Sequence, residues 1–342
     1  MFVSNNPECR FDQENKSGWN LLPSLMTKKG VKILGVGKKD LPKFYLKYLK
    51  FKPDIIVLGW VPACCIPPFF KKLKLVKCPL VLNWDDYYAD MMTNYPRPLV
   101  KFMEDFTVKN VDYITTVSKI NQKKAKAARK PVFYVPHGYF DKPIKTRVNL
   151  DKLKTKKNNV KIIYLGEQIK FKKIDQIINA VKGMDCDLFL FGTPNPEFVK
   201  MAGKNVHFQG YLPELEVRAV LKQADILVNP SDQDCSYKFF EYLSVEKPIL
   251  AYDGLPNLLL TNGVNAYLTK DFKKGLIELI KNKELRRRLE KNTKKFKTFS
   301  WDYLSSKYIE LYWQMVLNSK DPKKHPITWK LEEEPSINIP LK

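Results

Sequence analysis

The chain has 342 residues and a formal net charge of +24, most of the excess being lysine. That length predicts two domains with sizeable cores, and no apolar run approaches the ~18 residues that a membrane span needs. The six cysteines show no CxxC or metal-type spacing and the three histidines are scattered, which argues against a disulfide scaffold or a metal cluster. Without a recognisable signal peptide, reduced thiols in a cytoplasmic protein are expected. The positive charge fits either a solvated lysine-rich surface or an anionic partner: nucleotide phosphates, an acidic membrane face or nucleic acid.

In chain order, residues 2–4 read as a short strand, 5–18 as a charged loop and 19–29 as an amphipathic helix. Strand 31–36, helix 41–50 and the apolar strand 55–59 follow, the last introduced by Pro53-Asp54. A helix over 67–75 leads to strand 79–83, which ends in Trp84-Asp85-Asp86. Helix 98–110, strand 113–117 and helix 119–129 come next, with Ser118 as N-cap, and then strand 132–135 before Pro136-His137-Gly138. Residues 141–159 are lysine-rich and read as a linker. A second alternating series runs through strand 160–165, helix 173–181, strand 187–191, helix 196–201, strand 206–208 and helix 214–223. A last strand at 265–268, a basic helix or two over 273–296 and an amphipathic helix at 301–317 close the series, and the tail from 319 reads as irregular. Such alternation predicts an α/β fold of two Rossmann-like halves with parallel sheets, facing a cleft. Neither half carries a GxGxxG fingerprint, which argues against a dinucleotide dehydrogenase.

The stretch from 225 to 254 is the most informative. Residues 225–229 form an apolar strand, 230–235 a turn-rich loop, 237–246 a helix with Ser236 as N-cap, and 249–251 the next strand. A helix N-terminus at the carboxyl end of a parallel strand is where an open α/β sheet binds an anion. Glu241 follows one turn inside that helix, within reach of polar ligand groups.

These residues resemble a family. The segments YLGEQIKFKKIDQIINA, HFQGYLPELEVRAVLKQADILVNPS and QDCSYKFFEYLSVEKPILA are similar to the donor-binding domain of GT-B glycosyltransferases of the retaining family-4 (group 1) type. Gly166, Lys172, Ala180, Gly210 and Glu241 fall on the family's glycines, lysine, helix alanine and second glutamate. In the first half PDIIVLGW, VDYITTVSK and VPHGYF are weaker matches, and FSWDYLSSKYIELY resembles the helix that returns to the first domain. Departures stand beside these matches. Glu167 replaces a diphosphate-clamping arginine, so that either Lys170 substitutes or the clamp rests on Lys172 alone; Gln233, between Asp232 and Asp234, replaces the first glutamate; Glu246 replaces the glycine before Lys247.

The resemblance implies an acceptor-side domain over 1–145, a nucleotide-sugar domain over 158–300, and a crossover helix and tail over 301–342 packing back on the first domain. It implies a transferase that moves a sugar from a nucleotide-diphosphate donor, UDP- or GDP-linked, to the hydroxyl of a glycan or lipid-linked acceptor, retaining and without a metal or other cofactor. Lys172, Lys170, Lys238 and the amides of Ser236, Tyr237 and Lys238 would meet the diphosphate. Glu241 would bind the ribose, Gln233 and Asp234 the sugar side, Tyr211 and Leu212 would sit by the base, Cys235 would belong to the donor site, and Gly166 would let the backbone approach closely. Asp85 and Asp86 are the acceptor-side candidates, with either as general base should the reaction invert. The charge suits peripheral docking on an anionic membrane, and equally a phage-type enzyme that glycosylates DNA bases. A non-catalytic nucleotide-sugar binding protein is the third reading, suggested by Glu167 and Gln233.

Overall fold

The computed structural model describes residues 1–3, 18–59, 65–85, 95–139, 150–155, 159–232, 237–254, 259–296 and 298–331. The chain forms two compact units, one of Met1–His137 with Trp301–Glu334 and one over Gly138–Ser300.

In the first unit, β1 (Phe2–Val3), β2 (Gly35–Val36), β3 (Ile56–Leu58), β4 (Leu80–Asn83), β5 (Tyr113–Thr116) and β6 (Val132–Tyr134) form one sheet in the order β2-β1-β3-β4-β5-β6. Every pairing is parallel. β3, β4 and β5 are buried along their whole length, as continuous apolar runs covered on both faces should be. The order moves one way from β2 onward, so right-handed crossovers place α2 (Phe44–Phe51), α3 (Ile66–Lys72), α4 (Arg97–Asn110) and α5 (Lys119–Ala127) on one face. The reversed step from β1 to β2 puts α1 (Gly18–Lys28) on the other face, where it packs against α12 (Trp301–Lys320). Trp301, Leu304, Tyr308, Leu311, Tyr312 and Met315 make the buried stripe of α12 at helical spacing.

In the second unit, β8 (Val160–Leu165), β9 (Cys186–Phe191), β10 (Val206–Gly210), β11 (Ile226–Asn229), β12 (Ile249–Tyr252) and β13 (Tyr267–Thr269) form a second all-parallel sheet in the order β10-β9-β8-β11-β12-β13. Alternate residues feed two cores. Ile162, Leu188 and Leu190 pack with Ile174, Ile177 and Phe198 of α6 (Ile174–Ala180) and α7 (Pro196–Met201). Ile163, Phe189 and Phe191 pack with α8 (Glu214–Leu221) and α9 (Tyr237–Ser244) through Val217, Phe239 and Phe240. Each such side chain contributes about 1.5–3 kcal/mol by leaving water. The chain runs leftward from β8 through β9 to β10, then crosses back to β11, so the strand order reverses between β8 and β11. That is the switch point at which open α/β sheets bind ligands, outside the carboxyl ends of the strands.

Several boundaries differ from the sequence reading. Only Gly35–Val36 of the expected strand 31–36 is paired, because β1 offers two residues to pair with. The expected helix 41–50 is a 3-10 turn, Lys38–Lys43 with Pro42 inside, before α2 begins. The basic stretch 273–296 is two helices, α10 (Phe272–Lys281) and α11 (Lys283–Thr293), because Asn282 turns to cap the second and accepts from the Leu285 amide at 2.9 Å. Within the expected linker, Leu150–Leu153 forms a 3-10 turn whose Leu153 joins the second core. A short pair absent from the sequence expectations, β7 (Gly138–Tyr139) with β14 (Phe299–Ser300), ties the two ends of the second unit together.

Candidate functional site

At the switch point the backbone is drawn very close. The Gly166 amide donates to the Phe191 carbonyl at 2.9 Å, and the Gly192 amide donates to the Gly210 carbonyl at 2.8 Å, so the ends of β8, β9 and β10 are knit in a row. Gly192 has φ +129°, and a Cβ there would lie 2.0 Å from the Gly166 carbonyl oxygen, a spacing that excludes any side chain. Gly166 has φ +145°, and a Cβ there would fall 2.0 Å from Lys238 Cε and 2.6 Å from its Nζ. The missing side chain is therefore the space through which Lys238 reaches from α9 to the end of β8.

α9 is fixed at this place by Tyr242. Its hydroxyl accepts from the Leu165 amide at 3.0 Å and donates to the Val228 carbonyl at 3.2 Å, bridging β8 and β11. Burial raises that phenol well above its usual range, so it stays a protonated donor. At the far end of α9 the Arg218 guanidinium donates to the Ser244 carbonyl at 3.3 Å and lies 4.9 Å from the Tyr139 ring centre. Glu241, in the middle of this clamped helix, is 5 % exposed, so it is not an ordinary solvated helix glutamate.

The cations divide differently from the sequence reading. Lys170 and Lys172 lie in a 3-10 turn after β8. Lys170 Nζ forms an exposed pair with Glu197 on α7 at 2.8 Å, which turns it toward that helix. Lys172 is half-buried, with its ammonium 5.4 Å from the Phe171 ring centre. The next residue, Lys173, which the sequence reading did not single out, bonds Asp232 in the loop after β11 at 2.7 Å and sits 4.2 Å over the Tyr252 ring. It bridges the two sides of the switch point. Tyr211 is 67 % exposed beside the buried Leu212, and Tyr237 and Lys238 at the start of α9 are half-buried. Gln233, Asp234, Cys235 and Ser236, like Asp86, lie outside the described residues.

Two further groups at the same strand ends escaped the sequence reading. Gln168 is 2 % exposed; its Nε2 donates to the Gly192 carbonyl at 3.3 Å, while its Oε1 is buried without a partner. Asn229, the last residue of β11, accepts from the Ser231 amide at 3.2 Å, and its Nδ2 is buried without a partner. Buried polar groups are normally satisfied. These two groups lie on either side of the topological switch point.

In the first unit, Asp85 follows β4 and is held by a buried chain of polar groups. Thr115 Oγ1 donates to Asn83 Oδ1 at 2.9 Å, and Asn83 Nδ2 donates to Asp85 Oδ2 at 2.7 Å. The neighbouring Trp84 donates through Nε1 to the buried Glu104 at 2.7 Å, and its carbonyl accepts from Thr116 and Asn121. Burial, with Tyr312 and then Asp85 adding to it, lifts the Tyr308 phenol well above its usual range, and burial followed by Asp85 does the same to Tyr312. His137 is buried against Trp301, with ring centres 6.0 Å apart, and desolvation pushes it down to about 3. It is neutral at physiological pH. The described residues hold no cluster of three or more His, Cys, Asp or Glu side chains that could ligate a metal.

Comparison with known proteins agrees with this geometry. The chain has the GT-B fold: it superposes on sucrose-phosphate synthase from Thermosynechococcus elongatus with a TM-score of 0.70 at 13% identity, covering 92% of this chain and 98% of that one. The Anabaena protein HepE, solved in complex with UDP and glucose, gives a TM-score of 0.65 at 13% identity over 90% of this chain and 97% of that one. Residues 159–282 match the family described as glycosyl transferases group 1. An uncharacterized glycosyltransferase of Methanocaldococcus jannaschii is 26% identical over 285 residues, covering 72% of this chain and 70% of the relative. The match to the group 1 glycosyl transferases thus falls on the second unit, which carries the switch point.

Proposed function

We propose that the protein transfers a sugar from a uridine-diphosphate donor to the hydroxyl of a lipid-linked glycan, with retention of configuration and without a metal. The observation that carries this reading is Lys238 lying against Gly166 at the switch point, with the buried Glu241 one turn further along the same clamped helix. Cleavage of the bond between the anomeric carbon and the phosphate oxygen leaves charge on the diphosphate. Lys238, Lys172 and the N-terminal amides of α9 stabilise that charge in place of a cation. Glu241 accepts hydrogen bonds from the ribose, as Asn229 and Gln168 complete theirs on the polar ligand. In front-face attack the departing phosphate oxygen takes the acceptor proton, so no general base is needed, and Asp85 is kept as an acceptor-side candidate. The choice of uridine is supported by the UDP bound to the Anabaena protein.

A lipid-linked acceptor is favoured over DNA by the first unit, where exposed leucine and phenylalanine side chains stand among the lysines. Surfaces that bind DNA are basic but polar. The experiment is transfer or slow hydrolysis of UDP-glucose, UDP-galactose and UDP-N-acetylglucosamine, followed by NMR of the released sugar in the presence and absence of EDTA. Turnover of one donor with the anomeric configuration retained and indifference to EDTA is expected. Inversion would move Asp85 to the role of general base, and loss of turnover with EDTA would overturn the metal-free reading.

A further inference from the structure

The helix layer of α2, α3 and α4 in the first unit carries an unusual outer surface. Six of the sixteen exposed large apolar side chains among the described residues lie on these three helices or at their ends: Leu46, Leu49, Phe69, Leu73, Leu99 and Phe102. Leu46 is 68% and Phe102 66% exposed, so these are not partly covered core residues. The core-facing positions are filled by others, such as Phe44 and Val100. The three helices are joined side by side. The Phe70 ring of α3 stacks on Tyr45 of α2 at 4.9 Å and lies 5.8 Å from Phe44. Lys72 of α3 places its ammonium 5.9 Å from the Phe106 ring of α4, which in turn stacks with Phe102 at 6.4 Å.

Charge on the same layer has one sign. α2 and α3 each carry two lysines and no carboxylate, and α4 carries an arginine and two lysines against Glu104 and Asp105. Glu104 is buried beneath Trp84, and Asp105 is paired with Lys101 at 2.6 Å. Asp40 and Asp112, the carboxylates that flank the layer, pair with Lys47 and Lys71 at 2.9 Å each. The surface is thus an array of leucine and phenylalanine set in a net positive field.

We propose that this three-helix face docks the enzyme on an anionic lipid bilayer. Its leucine and phenylalanine side chains enter the boundary between headgroups and acyl chains, while Lys50, Lys72 and their neighbours meet phosphate headgroups. No helix among the described residues is long and apolar enough to cross a membrane. An interface with another protein would call for apolar area depleted of lysine at its centre, and a nucleic-acid interface would call for lysine without exposed leucine. Only an anionic bilayer matches both halves of the pattern. The docking itself is independent of the donor site; for its purpose, presenting a lipid-linked acceptor, it rests on the function proposed above.

The test is vesicle flotation of the full chain, with UDP-induced thermal stabilisation read on the same samples. Phosphatidylcholine vesicles are compared with vesicles containing 30% phosphatidylglycerol as a chosen probe composition. The expected result is at least tenfold enrichment on the anionic vesicles, lowered at high salt. The triple variant Leu46→Ser, Phe69→Ser, Phe102→Ser keeps the charge and is expected to lose most of that enrichment while keeping its UDP response. Lys50→Gln with Lys72→Gln is expected to lose it as well. Wild type that stays off anionic vesicles, or retains duplex DNA instead, overturns the proposal. So does a triple-serine variant that floats like wild type, since that would be adsorption by charge alone. Docking without any UDP response would leave the surface standing and sink the donor reading.

Discussion

Gln168→Met should raise the stability of the free protein and lower its affinity for the donor. In the free chain this side chain is 2 % exposed and makes one long bond, 3.3 Å, to the Gly192 carbonyl, while Oε1 has no partner. An unsatisfied buried acceptor costs about 1–3 kcal/mol, and a neutral bond of that kind contributes about 0.5–1.5 kcal/mol. Methionine has nearly the same length and shape and removes both. The balance is a gain of about 1 kcal/mol, or roughly 2–4 °C in the melting temperature of a unit this size. If UDP supplies the missing partner, the same change should weaken UDP binding by about 1–2 kcal/mol, roughly fivefold to thirtyfold. Urea unfolding and titration calorimetry with UDP measure the two effects on one sample. A variant that is destabilised by 1 kcal/mol or more and binds UDP like wild type would refute the assignment of Gln168 to the site.

Other outcomes follow from the same geometry. Gly192→Ala combines a left-handed conformation with a backbone contact at 2.0 Å, so it should cost about 2–6 kcal/mol and abolish UDP stabilisation. Gly183→Ala, at φ +73° with open space around it, should cost only about 1–2 kcal/mol in the same urea series. His137 has its folded value depressed to about 3 by burial. Its contribution to stability is full above the unfolded value near 6.5 and is lost as pH falls toward 3. At pH 5 that loss is about 2 kcal/mol, so the melting temperature of His137→Gln should fall less than that of wild type between pH 7.5 and pH 5. Asp85→Asn keeps a group for the buried chain from Asn83 and removes the charge. It should lower turnover with a lipid-linked acceptor while leaving UDP binding within twofold, and an unchanged transfer rate would remove Asp85 from the acceptor side.

Much of this architecture is legible in the sequence because its strands are short apolar runs bounded by proline, glycine or aspartate. β3 after Pro53-Asp54 and β11 before Pro230 fall within a residue of their expected limits. Ser118 caps α5 as read, accepting from the Asn121 amide at 3.1 Å. The break at Asn282 is hidden because no proline or glycine lies between Leu276 and Phe296 to mark it. The pair β7–β14 is two residues on each side and offers no periodicity to read. At the site, Glu241 and Gly166 stand out through the resemblance. Lys173, Gln168 and Asn229 do not, since one lysine among many, a glutamine and a strand-end asparagine acquire meaning only when the switch point brings them together. Lys170 shows the converse: its partner Glu197 lies on another helix, and nothing local announces the pair.

In the proposed function the ends of β8 and β11, with α9, bind a nucleoside diphosphate through Lys238 and Glu241. The most direct measurement is the thermal unfolding of wild type, Lys238→Ala and Glu241→Gln with UDP, GDP, ADP, TDP and CMP, each in excess. A ligand at a hundred times its Kd should stabilise the wild type by about 2.7 kcal/mol, roughly 5–10 °C. The predicted result is such a shift for UDP in wild type and little or none in the two variants. No shift with any nucleotide, or a UDP shift that survives both substitutions, would contradict the account.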